Sequence, residues 1–181
     1  MQEEFIKNLL PVKYGLLIAL ATLAYGLGLG GAFGAFEDNI KGYLKDNAIQ
    51  VLSVTYKGDK VLMKKITDKS WVYFKRAHLH ANGLGTTALI LIFLVSCLPS
   101  NNIIKSINAV CLGLGSLGYS LFWMLAGLRA PGIGSTGMAK ESLKWLAIPS
   151  AGLCIIGLAM VIWLVVISLF LRERIKLDNQ S

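Results

Sequence analysis

Four long runs of the chain contain no aspartate, glutamate, lysine or arginine, and together they cover more than half of its length. They are residues 14–36, 77–104, 106–128 and 145–171. About 20 apolar residues, each advancing a helix by about 1.5 Å, cross the ~30 Å hydrocarbon core of a bilayer. The pattern predicts an all-α membrane protein, a single four-helix transmembrane bundle with spans at about 14–36, 77–99, 106–128 and 145–171.

The polar connection between the first two spans, residues 37–76, is the longest of the three. Two stretches in it, 49–56 and 60–66, are rich in β-branched and aromatic residues, and Lys57-Gly58-Asp59 separates them. This pattern is typical of a β-hairpin whose glycine adopts a positive φ. The sequence therefore predicts a small extramembrane β-hairpin between helices 1 and 2.

Composition agrees with a membrane protein. Mean hydropathy is +0.61 and 15% of residues are charged, against about 25% in soluble domains. The net charge of +8 is explained by basic residues beside anionic lipid headgroups, so we expect the bilayer as partner and no nucleic acid. The chain is predicted to be multi-pass in a cell (inner) membrane.

The orientation in that membrane stays open. Twelve lysines and arginines lie in the first and third connections and six elsewhere, which by the positive-inside rule places residues 37–76 in the cytoplasm. The C-terminal segment 172–176, with three basic residues, is itself typical of a cytoplasmic anchor.

Glycines and cysteines inside the spans predict close packing. Gly26, Gly30 and Gly34 form small-xxx-small pairs that let helix backbones approach closely. We therefore expect a homo-oligomer or membership of a larger membrane complex. The run 113–118 spells a dinucleotide fingerprint but lacks a preceding strand, which indicates a helix-packing surface. The three cysteines fall inside spans and are expected to pack as small apolar residues.

The two histidines of the chain, His78 and His80, lie at the mouth of the second span. Ionisable residues in spans are costly and often functional. Positions i and i+2 of a helix lie about 200° apart, so the two rings serve different faces. With Arg76 before them and Gly83 leaving flat space for a porphyrin, they predict a haem b or metal site ligated by His78 or His80. The alternative is a pair of wetted interfacial histidines without a cofactor.

A second candidate site is the third connection. Arg129, the hydroxyls of Ser135 and Thr136, and glycine amides before a short basic helix at 138–144 predict a cradle for an anion. A lipid headgroup, a quinone carbonyl or a haem propionate would suit it. The alternative is a glycine turn capped by Ser135 or Thr136. Because each follows an odd-numbered span, connections one and three emerge on one face, beside His78 and His80.

The stretch around the histidines resembles known families. His-x-His before a glycine-rich apolar helix is similar to the histidine-bearing helices of haem-copper-oxidase-like membrane proteins, although the multi-histidine set of those proteins is absent. Size, span count and the residues Arg76-Ala77 with Asn82 are more distantly similar to four-span glutathione- and eicosanoid-metabolising membrane proteins. That family's flanking acidic residues are missing here, and the spacing differs by a residue.

Three functions follow as expectations. The first is an integral membrane b-type haem- or metal-binding protein in electron transfer, with quinone as a candidate partner and a neighbouring subunit, Met124 or water completing the iron. The second is a non-catalytic structural or assembly subunit of a membrane complex. The third is a four-span membrane enzyme that acts on a lipophilic substrate. Whether a reaction is catalysed stays open.

Overall fold

A computed structural model describes residues 2–171 of the chain, and the basic segment 172–176 lies outside the described residues. The helices, in chain order, are α1 (Gln2–Leu9), α2 (Lys13–Gln50), α3 (Lys60–Cys97), α4 (Asn102–Ile133), α5 (Thr136–Glu141) and α6 (Lys144–Val166). A short 3-10 turn, Leu10–Val12, joins α1 to α2 at Pro11, and the last described turn, Ile167–Leu171, is π-helical.

Four of these helices, α2, α3, α4 and α6, are long and apolar enough to cross a membrane. This confirms the prediction of an all-α bundle with four helices that can cross a membrane. Helix α4 lies at the centre of the bundle, because it packs against each of the other three.

Glycines let these helices approach closely. A methyl group on Gly113 would lie 2.9 Å from the carbonyl oxygen of Gly15, and one on Gly115 would lie 2.7 Å from the Cys154 backbone nitrogen. Both distances are shorter than packed carbon atoms tolerate. The run 113–118 is therefore a helix-packing surface, as the sequence predicts.

The predicted β-hairpin is wrong. Helix α2 continues to Gln50, residues 51–58 form a turn, and α3 begins at Lys60; residues 2–171 contain no β-strand. The Asp59 side chain caps α3 by accepting hydrogen bonds from the backbone N–H groups of Val61 and Leu62, both at 2.9 Å. The positive φ expected at Gly58 is present, at 84°, and it reverses the chain between two helices.

The distance along α3 from Arg76 to Ser96 gives a length for the membrane-embedded part. The Lys105 Nζ, buried at the start of α4, donates to the Ser96 carbonyl at the end of α3 (2.9 Å). Arg76 lies about 20 residues before Ser96, which is about 30 Å along a helix. That distance matches the thickness of the hydrocarbon core, so a span from Arg76 to Ser96 would put the membrane boundary at Arg76 and the histidines just inside it.

Beyond this boundary the helices build a structure that we call the helical cap, comprising residues 37–75 and 129–143. The Tyr56 hydroxyl donates to the Pro131 carbonyl (2.6 Å), and Gly134 packs against the Thr55 side chain. Connections one and three therefore meet on one face of the bundle, as the sequence predicts.

Candidate functional site

The two histidines of α3 face different neighbouring helices. The His78 ring points to α2, where it contacts Phe33 edge-on with ring centroids 5.9 Å apart. The His80 ring points to α4 and stacks against Trp123 at 5.9 Å. The two faces are those expected from the i, i+2 spacing, so the rings cannot share one metal ion.

His78 is held between α2 and α3. Its Nδ1 lies 2.7 Å from the Gly26 carbonyl oxygen. Since a carbonyl can only accept, this hydrogen bond places the ring proton on Nδ1. A methyl group on Gly30 would lie 2.7 Å from the His78 Cε1 atom. The small-xxx-small pair Gly26 and Gly30 therefore makes room for the imidazole of the same chain.

The remaining nitrogen of His78 is also covered. The Asn82 Nδ2 lies 3.1 Å from His78 Nδ1 and 3.5 Å from its Nε2, and it donates to the His78 carbonyl at 3.1 Å. Gly30 approaches the same nitrogen from the other side, at 3.6 Å from its ideal Cβ position. His78 thus acts as a polar contact that joins two spanning helices.

His80 has the opposite arrangement. Its Nδ1 lies 2.7 Å from the Arg76 carbonyl oxygen one turn back in α3, which again places the ring proton on Nδ1. Its Nε2 has no hydrogen-bond partner among residues 2–171, and the side chain is partly exposed. Metal-ligating histidines have the same orientation: one ring nitrogen donates to a carbonyl, and the other has a free lone pair.

Aromatic and cationic groups surround His80. Tyr119 lies 5.1 Å from the imidazole, between ring centroids. The Arg76 guanidinium lies 4.8 Å from the centre of the Trp123 ring and 5.6 Å from that of Tyr73. The indole N–H of Trp123 is buried and has no partner within the described part of the chain. The cluster offers one positive charge and one unused hydrogen-bond donor next to a free imidazole nitrogen.

The surface next to His80 is flat and open. Gly83 is exposed, and a methyl group there would meet no atom within 4 Å. Arg76, His80, Gly83 and Thr87 follow each other at intervals of three to four residues, so they form one stripe on α3. This stripe is the place where a planar ligand could lie against the helix. Gly85, in contrast, packs against Leu23 and Thr22 of α2.

The predicted anion cradle does not form as a glycine loop. Helix α4 continues through Arg129 and Pro131 to Ile133 and ends at Gly134, whose φ is 72°. The Arg129 Nη1 donates to the Ser142 hydroxyl (3.0 Å). The Ser135 hydroxyl accepts from the Met138 backbone N–H (3.3 Å), which makes it the cap of α5.

Thr136 is buried beside this cap. Ser135 therefore caps α5, as the alternative of a capped turn describes, and anion binding by Arg129 and Thr136 stays a prediction. Arg129 lies on the same side of the membrane as the histidines, because Gly127, two residues earlier, packs against Phe74 and Ser70 of α3.

Other candidate ligands lie elsewhere. The Met124 sulfur accepts a hydrogen bond from the Tyr25 hydroxyl at 3.0 Å, on the side of α4 that faces α2. It therefore does not complete a site at His80. Residues 2–171 contain no cluster of three or more histidine, cysteine, aspartate or glutamate side chains that could hold a metal ion. Glu37 forms an ion pair with Lys41 and does not contact a histidine.

Comparison with known proteins gives no relative. No protein family matches the chain, and neither a curated protein nor a solved structure shows significant similarity to it.

Two groups of the site were not predicted from the sequence. Trp123 and Tyr119 are the partners of His80; their i, i+4 spacing on α4 is visible in the sequence, but their alignment with His80 requires the α3/α4 register.

Proposed function

We propose that this protein binds a b-type haem through His80 and serves in electron transfer within a membrane, with a quinone as the candidate partner. The observation that carries the proposal is the orientation of His80. Its Nδ1–H donates to the Arg76 carbonyl, and its Nε2 is free beside the open surface at Gly83. A haem requires one or two axial nitrogens and a flat neighbouring surface, rather than the larger ligand cluster of a bare metal ion.

The residues around His80 fit the rest of such a ligand. Arg76 supplies a positive charge at the membrane boundary for a propionate, and the open surface at Gly83 leaves room for the porphyrin body. A bound haem would supply one-electron redox chemistry. The chain's own residues would bind it, orient it through the Arg76 carbonyl and shield it with the Tyr119 and Trp123 rings.

The stripe at His80 faces outward from the four helices. We therefore propose that a second copy of the chain, or another subunit, covers the opposite face of the haem and supplies a second axial ligand. Of the three alternatives given by the sequence, a neighbouring subunit, Met124 or water, this proposal keeps the first, because Met124 is turned toward Tyr25.

The test is a visible absorption spectrum of the full chain, purified in detergent after expression with an ample haem supply. The proposal expects a Soret band, and α and β bands on reduction with dithionite. It also expects the haem to stay with the protein through size exclusion. If the purified, folded protein lacks a Soret band under these conditions, the proposal is wrong.

A second candidate function is a structural or assembly subunit without a cofactor. The observation that favours it is the use of His78, which joins α2 to α3 through the Gly26 carbonyl. If both histidines have this kind of role, the parent protein should show no Soret band. The double variant His78→Ala plus His80→Ala should then lose thermal stability or complex assembly.

A further inference from the structure

A cleft opens between α2 and α3 in the helical cap, away from the histidines. Its volume is about 560 Å³, within the usual range of ligand sites. Its lining residues are Lys41, Leu44, Lys45, Lys60, Met63, Lys64, Thr67, Asp68 and Trp71.

The cleft carries more positive charge than its own carboxylates balance. Four lysines line it, against one aspartate. Lys64 pairs with Asp68 at 2.8 Å, and Lys41 pairs with Glu37 just outside the cleft. The hydrogen bond that the Lys41 ammonium donates to Glu37 raises the pKa of Lys41, so this ammonium stays charged at neutral pH.

Two of the four lysines remain available for a ligand. Within residues 2–171, neither Lys45 nor Lys60 has a carboxylate oxygen within 4.0 Å. They come from the two opposite walls, Lys45 from α2 and Lys60 from the first turn of α3. An anion between the walls can therefore meet a free ammonium on each side.

The floor of the cleft is apolar. Leu44 is fully buried, and Met63 and Trp71 are partly buried. The Lys41 Nζ lies 5.3 Å from the centre of the Trp71 ring. A site with an apolar floor and a few convergent charged groups favours a ligand that has an apolar part and an anionic group.

The depth of the cleft connects it with the membrane surface. Trp71 lies five residues before Arg76, which is about 7 Å above the hydrocarbon boundary and within the headgroup layer. The cleft extends from there toward Lys60 and the surrounding water. It is therefore accessible from the lipid headgroups and from solution.

We propose that this cleft is a binding site for a phosphate-bearing anion, held by Lys45 and Lys60 above the floor of Leu44, Met63 and Trp71. The phosphate belongs either to the headgroup of an acidic phospholipid or to a soluble phosphate compound. Binding is independent of haem at His80, since the cleft lies in the cap.

The test uses the full chain in nanodiscs of phosphatidylcholine. The signal is the fluorescence of Trp71, identified as the part of the tryptophan fluorescence that is lost in Trp71→Phe. One arm adds increasing fractions of phosphatidylglycerol to the nanodiscs, and the other adds inorganic pyrophosphate to the solution. A response to phosphatidylglycerol alone identifies a lipid headgroup, and a saturable response to pyrophosphate identifies a soluble ligand. If neither compound changes the signal, the proposal is overturned.

Matched variants distinguish specific binding in the cleft from nonspecific electrostatic attraction. Lys45→Gln plus Lys60→Gln should weaken binding at least tenfold, and Lys45→Arg plus Lys60→Arg should retain it. The control, Lys65→Gln plus Lys69→Gln, removes the same charge from another face of α3, outside the cleft, and should leave binding within twofold. An equal loss in the glutamine pair and the control would contradict the site.

Discussion

His78 and His80 are separated by one residue on α3, yet one ring bonds to α2 and the other stacks on α4. The His78 Nδ1 meets the Gly26 carbonyl at 2.7 Å, and the His80 Nδ1 meets the Arg76 carbonyl at 2.7 Å. The first bond crosses between helices and the second stays within one. His78 therefore contributes to packing, and His80 is the histidine that keeps a nitrogen for a ligand.

The packing role of His78 predicts the effect of filling the space at Gly30. In Gly30→Ala, the new methyl group would lie 2.7 Å from the His78 Cε1, so the ring must move and its bond to Gly26 weakens. We expect a loss of about 1–2 kcal/mol in unfolding free energy, because overpacking costs about 1–3 kcal/mol and alanine returns part of it through helix propensity. Thermal unfolding in detergent measures this.

Gly28→Ala is the matched control on the same helix. A methyl group at Gly28 meets no atom within 4 Å, so this variant should be as stable as the parent or slightly more stable. Equal destabilisation by both variants would show that helix flexibility, rather than the His78 contact, sets the effect.

The contact between connections one and three predicts a role for the Tyr56 hydroxyl. Tyr56→Phe removes the 2.6 Å hydrogen bond to the Pro131 carbonyl and should lower the unfolding free energy by about 1 kcal/mol. Tyr43→Phe changes an exposed tyrosine and should be neutral. Urea or thermal unfolding at pH 8 compares the three proteins, and a neutral result for Tyr56→Phe would contradict the contact.

The same residue predicts a pH dependence. Burial raises the pKa of Tyr56 above its ordinary value of 10.0, because the buried site disfavours the phenolate. A folded pKa above the unfolded one gives stability that is fully present below pH 10 and is lost as pH rises through the folded pKa. The stability difference between parent and Tyr56→Phe should therefore shrink as the pH rises above 10.0. A difference that stays constant as the pH rises would argue against the burial of the phenol.

The start of α3 predicts a further effect. Asp59→Ala removes the side chain that accepts from Val61 and Leu62, which costs about 1 kcal/mol at a helix N-cap. Asp46→Ala removes an exposed carboxylate from inside α2 and should cost nothing. Amide hydrogen exchange should show faster exchange in the first turn of α3 for Asp59→Ala only; unchanged exchange there would show that the cap is dispensable.

The sequence predicts the spans well because long uncharged runs have one stable solution in lipid, the helix. It fails at residues 49–66, where β-branched residues suggested strands. There Met63, Ile66, Ser70 and Tyr73 recur at helical spacing, and Asp59 stands at the N-cap position. Their periodicity and the cap outweigh the local β propensity, which depends strongly on context.

The candidate site was predictable in part. The opposite faces of His78 and His80 follow from helix geometry alone. Which of them keeps a free nitrogen depends on Gly26, Gly30 and Asn82, and so on the α2/α3 register, which one sequence does not specify. Likewise, the loop expected from Arg129 onward is wrong in its first part, because α4 continues through Pro131 to Ile133.

Haem binding at His80 is tested most directly by comparing the visible spectra of His80→Ala and His78→Ala, each purified with haem supplied and normalised to folded protein. Since His80 holds the free nitrogen, its variant should lose at least about 90% of the Soret absorbance, and imidazole added to His80→Gly should restore it. His78→Ala should keep most of the band at reduced thermal stability. If His80→Ala retains the Soret band of the parent, the assignment of haem to His80 is wrong.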